Sequence, residues 1–139
     1  MERKIILASH HRMAQGLKDT LQFITGDATK DEIIEMSAYL DNEPIETKVQ
    51  KLMATFDADT EVIILTDMMA GSVNQKFFVY RTRPHTQIIS GMNLPLALAF
   101  AMEPKTAYIS SNRVKAIIEQ AKDAIVYIND LQVEDDDDE

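Results

Sequence analysis

Cysteine is absent from the chain. That excludes a disulfide framework, thiolate nucleophiles and thiolate metal sites. No apolar run approaches the roughly 18 residues that a membrane span requires. The run Ile5-Ile6-Leu7 behind Met1-Glu2-Arg3-Lys4 is too short for the core of a signal peptide. A soluble, cytoplasmic protein is therefore expected. Basic charge is scarce, with 14 Lys and Arg against 23 Asp and Glu, for a net charge of −9. No basic patch is dense enough to suggest nucleic acid. There is no GxGxxG or GxxxxGK[ST] phosphate loop and no GxSxG nucleophile elbow.

What is present is one domain's worth of chain, 139 residues of which 45% are apolar. A chain of this size buries about two-thirds of its surface on folding and needs no staple. The acidic excess is concentrated at the end, where Glu134 to Glu139 are six acidic residues in a row, and without them the net charge of −9 falls to −3. Residues 131–139 read as an acidic, disordered, self-repelling tail, and residues 1–130 as the folded domain.

Strand and helix signals alternate along that domain. Lys4 to Ser9, Ile33 to Tyr39, Glu61 to Thr66 and Thr86 to Ser90 are short apolar runs of the kind found in buried parallel strands. Between them, Met13 to Ile24, the stripe Ile45-Val49-Leu52-Met53-Phe56 behind Pro44, and Val73 to Tyr80 have helical spacing. Leu94 to Met102 and Asn112 to Asp123 follow as helices. The pattern predicts a three-layer α/β/α fold around a mostly parallel sheet. A last β-like run, Ala124 to Ile128, leads only into the tail and is expected to be an edge strand.

In an open α/β sheet, ligands bind beyond the carboxyl ends of the strands. Those ends carry Ser9-His10-His11, Asp67 to Ser72, and Ser90-Gly91-Met92-Asn93. Asp67 lies several residues before the next helix, so helix capping explains it poorly. A carboxylate beside an imidazole fixes its tautomer and leaves the other ring nitrogen free as a nucleophile. Gly71-Ser72 at a helix start offers backbone N–H donors to an anion. Together these groups specify a nucleophile, an orienting carboxylate and a phosphoryl cradle. On position alone either His10 or His11 could be the nucleophile. Ser72 could be a helix cap, a phosphoryl contact, or both. A metal site on His10, His11 and Asp67 is disfavoured because adjacent residues of an extended stretch point to opposite sides. A receiver domain phosphorylated on Asp67 would need an acidic pair where Ser9-His10 stand.

Three segments resemble one family. Ile5 to Leu17, IILASHHRMAQGL, is similar to an apolar strand followed by SHGxxAxGL; Ser9, His10, Ala14, Gly16 and Leu17 fit, while His11 replaces the usual glycine. Ile64 to Ser72, ILTDMMAGS, resembles LxDxxGGS, with Ala70 for the first glycine. Gly91-Met92-Asn93-Leu94-Pro95 resembles GxNxP. These are the marks of the mannose-family enzyme IIA domain of the bacterial phosphoenolpyruvate-dependent sugar phosphotransferase system, and the likeness extends through Ile128.

The resemblance implies a phosphotransferase that works through phosphohistidine, without a metal or other cofactor. It implies that His10 accepts a phosphoryl group from the histidine phosphocarrier protein and passes it to an enzyme IIB partner, in association with membrane components IIC and IID. Asp67 would orient His10, Gly71 and Ser72 would contact the phosphoryl oxygens, and Ser9, His11 and Asn93 would neighbour the site. Register favours His10 over His11 as acceptor, and His85 is expected at the opposite edge as a loop residue. Met68, Met69 and Met92 are candidates for a docking surface, with at least one of them in the core. The family also implies a homodimer formed by exchanging Ala124 to Ile128. With no Ala-Pro-rich linker, the chain reads as a free-standing IIA subunit. Two alternatives remain open: a phosphotransferase subunit of a dihydroxyacetone kinase, and a non-enzymatic regulatory module.

Overall fold

Four short apolar strands and five helices build the fold, in a computed structural model that describes residues 1–132. The order is β1 (Arg3–His10), α1 (Met13–Thr25), β2 (Ile33–Ala38), α2 (Ile45–Met53), β3 (Glu61–Thr66), α3 (Ser72–Phe78), β4 (Thr86–Ser90), α4 (Leu94–Ala101) and α5 (Ser111–Asp123). The strands form one sheet in the order β2-β1-β3-β4, and every pairing is parallel. This is the expected three-layer α/β/α architecture.

Side chains alternate across a strand, so each strand feeds both layers. Ile5, Leu7, Ile63 and Leu65 pack with Ala14 and Leu21 of α1, Leu96 and Phe100 of α4, and Val114 and Ile117 of α5. Ile6, Ala8, Val62 and Ile64 pack with Ile45 and Val49 of α2 and Val73 and Phe77 of α3. Burial on both faces is why these strands read as continuous apolar runs rather than alternating ones. Gly26 ends α1 at φ 67°, a conformation glycine adopts without cost.

Two differences from the sequence reading have physical causes. Strand β2 stops at Ala38 because Tyr39 turns into the left-handed region, at φ 66°. The run Ala124 to Ile128 is not a strand: α5 ends on Ala124, and an irregular stretch leads into a 3-10 turn at Ile128–Asp130. A strand needs an edge to pair with, and here Ile125, Val126, Tyr127 and Ile128 stand exposed. The acidic run Glu134 to Glu139 lies outside the described residues.

At the amino end of the sheet a buried ion pair ties the layers together. Arg3 and Glu61 face each other in register across β1 and β3, each side chain only 1% exposed. The Arg3 Nε–H donates to Glu61 Oε1. The rest of the guanidinium donates to the carbonyls of Glu103 (2.8 Å), Pro104 (3.1 Å) and Ala107 (3.3 Å). The second Glu61 oxygen accepts the Ile109 N–H at 2.6 Å. These bonds pin the loop between α4 and α5 to the sheet. Removing one charge of such a pair leaves the other buried and unpaired, at about 3–5 kcal/mol. Glu61→Gln should therefore lose about that much stability in urea unfolding. A loss under about 1 kcal/mol, the range of exposed pairs, would contradict it.

Candidate active site

The parallel register decides which strand ends meet. Ala8 of β1 lies beside Thr66 of β3. The residues that follow, Ser9-His10 and Asp67, therefore emerge side by side at the carboxyl edge. There the Asp67 carboxylate bridges the two strand ends. Its Oδ2 accepts both the His10 backbone N–H (2.8 Å) and the His10 ring at Nδ1 (2.7 Å). Its Oδ1 accepts the Met68 N–H at 3.0 Å. Burial acts to raise the Asp67 carboxyl, but the bonds from the His10 backbone and ring and from Met68 outweigh it and hold it below its ordinary value. An ionised carboxylate can only accept, so Nδ1 must carry the hydrogen. The Nε2 lone pair is then free, on an imidazole side chain 37% exposed.

The loop after Asp67 shapes the other side of the ring. A Cβ on Gly71 would stand 2.8 Å from His10 Cε1 and 3.0 Å from Met68 Cγ. Glycine is required here by close approach, not by its dihedral angles, since φ is −80°. Ser72 opens α3 and makes no cap; Gly71 is the N-cap residue. The Ser72 Oγ instead lies 3.4 Å from His10 Nε2 and hydrogen-bonds with the Tyr39 hydroxyl. Asn74 braces the loop, accepting from Thr66 Oγ1 (2.9 Å) and donating to the Met69 carbonyl (3.1 Å).

The remaining candidates fall in different places. Ser9 is buried, and its Oγ accepts the Ala14 N–H at 2.7 Å, fixing the turn into α1. His11 is exposed, adopts φ 54°, and its backbone N–H donates to the Ala38 carbonyl. The left-handed φ explains why glycine suits that position. Asn93 caps α4 by accepting the Leu96 N–H at 2.9 Å. Gly91 and Met92 both donate to the Thr66 carbonyl, joining that loop to the site strand. His85 precedes β4 at the opposite edge and stacks on Tyr108. Met68 and Met69 are exposed, whereas Met92 is core. Two participants escaped the sequence reading: Tyr39, whose ring stacks on His10, and Asn74. Neither sits in a recognisable motif.

The family described as the PTS system fructose IIA component matches residues 4–126. The chain belongs to this family. A Klebsiella pneumoniae protein, provisionally described as a phosphoenolpyruvate-dependent sugar phosphotransferase system permease, is 35% identical, with 94% of this chain and 93% of that one covered at a TM-score of 0.82. The mannose/sorbose-specific IIA subunit of Enterococcus faecalis has the same fold at 21% identity and TM-score 0.76, covering 96% of this chain and 99% of that one. The IIA protein of a Streptococcus pneumoniae fucose utilization operon does so at 24% identity and TM-score 0.75, covering 93% and 95%. Proteins of this IIA family are phosphotransfer components, and the geometry around His10 is consistent with that class of activity. No helix among the described residues is long and apolar enough to cross a membrane.

A carboxyl lowered on folding stabilises the fold above its unfolded value, 3.8 for Asp67, and loses that contribution as pH falls through its lower folded value. In urea unfolding, the advantage of wild type over Asp67→Asn should shrink as pH drops below about 4. An advantage unchanged down to about pH 2 would contradict the assigned hydrogen bonds.

Proposed function

We propose that this protein accepts a phosphoryl group on His10 Nε2 from the histidine phosphocarrier protein and passes it to an enzyme IIB partner. The observation that carries this reading is the pair of hydrogen bonds that Asp67 Oδ2 accepts from the His10 backbone N–H and ring Nδ1–H, which leaves Nε2 as the free nucleophile. The Nε2 lone pair attacks phosphorus in line. The P–N bond of the donor phosphohistidine breaks, and its electron pair stays on the donor imidazole. No proton moves: Nδ1–H remains on Asp67, and the positive charge gained by the His10 ring sits against that carboxylate. Ser72, beside Nε2, donates to a phosphoryl oxygen, with the backbone around Gly71 lining the same space. Transfer between two imidazoles is close to balanced, so positioning and charge stabilisation do most of the work.

Exposed Met68 and Met69 at the same edge suit transient partners that bind and leave. Their exposure supports a site read by partner proteins; in this reading the protein works in the cytoplasm and reaches membrane components IIC and IID through enzyme IIB. Residues 1–130 would be the working domain and residues 131–139 a tail. The exposed run Ile125 to Ile128 and the open edge of β4 support a homodimer in which that run pairs with a second copy. Light scattering should return twice the chain mass, and a monomer at micromolar concentration would contradict the exchange.

The direct test is intact-mass analysis after incubation with phosphoenolpyruvate, enzyme I and the histidine phosphocarrier protein. One acid-labile phosphoryl group should appear on the wild type and on His11→Ala, and be lost from His10→Ala. Labelling that survives His10→Ala, or no labelling beside an active donor control, would contradict the proposal.

A further inference from the structure

Tyr39 is held in a way that folding alone does not explain. Its φ of 66° puts a bulky side chain in the left-handed region, where L residues are strained. The side chain is not compensated by burial, because the residue is 55% exposed. It does lie over the imidazole. The Tyr39 and His10 rings stack with centroids 5.4 Å apart and planes 28° from parallel. The Tyr39 hydroxyl meets Ser72 Oγ, which is 3.4 Å from His10 Nε2.

The hydrogens in this chain of contacts can be placed by counting. His10 gives its ring N–H to Asp67, so Nε2 can only accept. Ser72 has one hydroxyl hydrogen and directs it to Nε2. The Ser72 oxygen must then accept from the Tyr39 O–H. The chain runs Tyr39 O–H to Ser72 O–H to the Nε2 lone pair. At 3.4 Å the contact with Nε2 is at the limit of a hydrogen bond and masks the lone pair weakly. When phosphorus arrives, Ser72 needs only to turn its hydrogen from Nε2 to a phosphoryl oxygen. Its oxygen stays where Tyr39 holds it.

We propose that Tyr39 is a positioning residue that holds the Ser72 hydroxyl beside His10 Nε2 and covers one face of the imidazole, speeding phosphoryl acceptance and shielding phosphohistidine from water. The inference rests on His10 as the phosphoryl acceptor. The reaction it slows is attack of water on phosphorus, in which the P–N bond breaks, its electron pair returns to Nε2, and the atoms of water leave in inorganic phosphate.

The test compares wild type with Tyr39→Phe, Tyr39→Gly, Ser72→Ala and the Tyr39→Phe/Ser72→Ala pair. Each is loaded from the phosphorylated carrier protein and, in a background with His11 and His85 replaced by Ala, from phosphoramidate. Acceptance rate and phosphohistidine lifetime are read by intact mass and phosphorus NMR. Tyr39→Phe keeps the ring and loses one hydrogen bond, so acceptance should slow about three- to tenfold with the thermal midpoint unchanged. In the Ser72→Ala background the same change should have no further effect, because Tyr39 acts through Ser72. Tyr39→Gly, which suits the left-handed backbone, should also shorten the lifetime severalfold. Wild-type rates and lifetimes in both Tyr39 variants would overturn the proposal, as would equal slowing by Tyr39→Phe with and without Ser72. Wild type that loads from phosphoramidate but not from the carrier contradicts the carrier reading alone; the lifetimes still decide the role of Tyr39.

Discussion

One carboxylate oxygen organises this molecule's working edge. Asp67 Oδ2 receives the His10 backbone N–H and the His10 ring together, and so fixes the strand end, the ring's orientation and its tautomer at once. The interaction depends on the sheet. Only a parallel pairing of β1 and β3 in the observed register brings these two ends to the same edge at the same height. The apolar layers on both faces and the buried Arg3–Glu61 pair at the far end hold that register. A one-residue slip would turn every side chain of β1 to the other face and carry His10 away from Asp67.

Of the three non-glycine residues with positive φ among the described residues, His85 lies at the amino edge and the other two lie at the carboxyl edge. His11 and Tyr39 both adopt positive φ without being glycine, at the ends of neighbouring strands. Gly71 is present because its backbone lies against His10 Cε1, where no side chain fits. Left-handed residues that carry a side chain cost on the order of 1–3 kcal/mol each and persist only where the surrounding structure determines them. Here they surround one imidazole. Rigid strands place the His10 imidazole, and the short loops after them place what surrounds it.

The layers of the fold were legible because doubly buried strands leave a clear mark, as in Ile5-Ile6-Leu7 and Val62-Ile63-Ile64-Leu65. Asp67 and His10 were legible because both end such strands and fit no capping pattern. Tyr39 was not, since its importance comes from a contact made 33 residues along the chain, with Ser72. Nor was the buried state of Arg3 and Glu61, whose charges become partners only once β1 and β3 pair. Met92 could not be told from Met68 and Met69 by type, because burial is set by the loop that carries each one. Ala124 to Ile128 has a strand's composition, but a strand also needs a partner, and a single chain supplies none there.

If Asp67 fixes the His10 tautomer, Nε2 is the reacting nitrogen. Nitrogen-15 NMR of the His10 ring near neutral pH tests it directly, before and after phosphorylation. The expected result is that the neutral form of the ring carries its hydrogen at Nδ1 and is bare at Nε2, with phosphorus–nitrogen coupling at Nε2 once the phosphoryl group is bound. A ring protonated at Nε2, or a phosphoryl group on Nδ1, would contradict it.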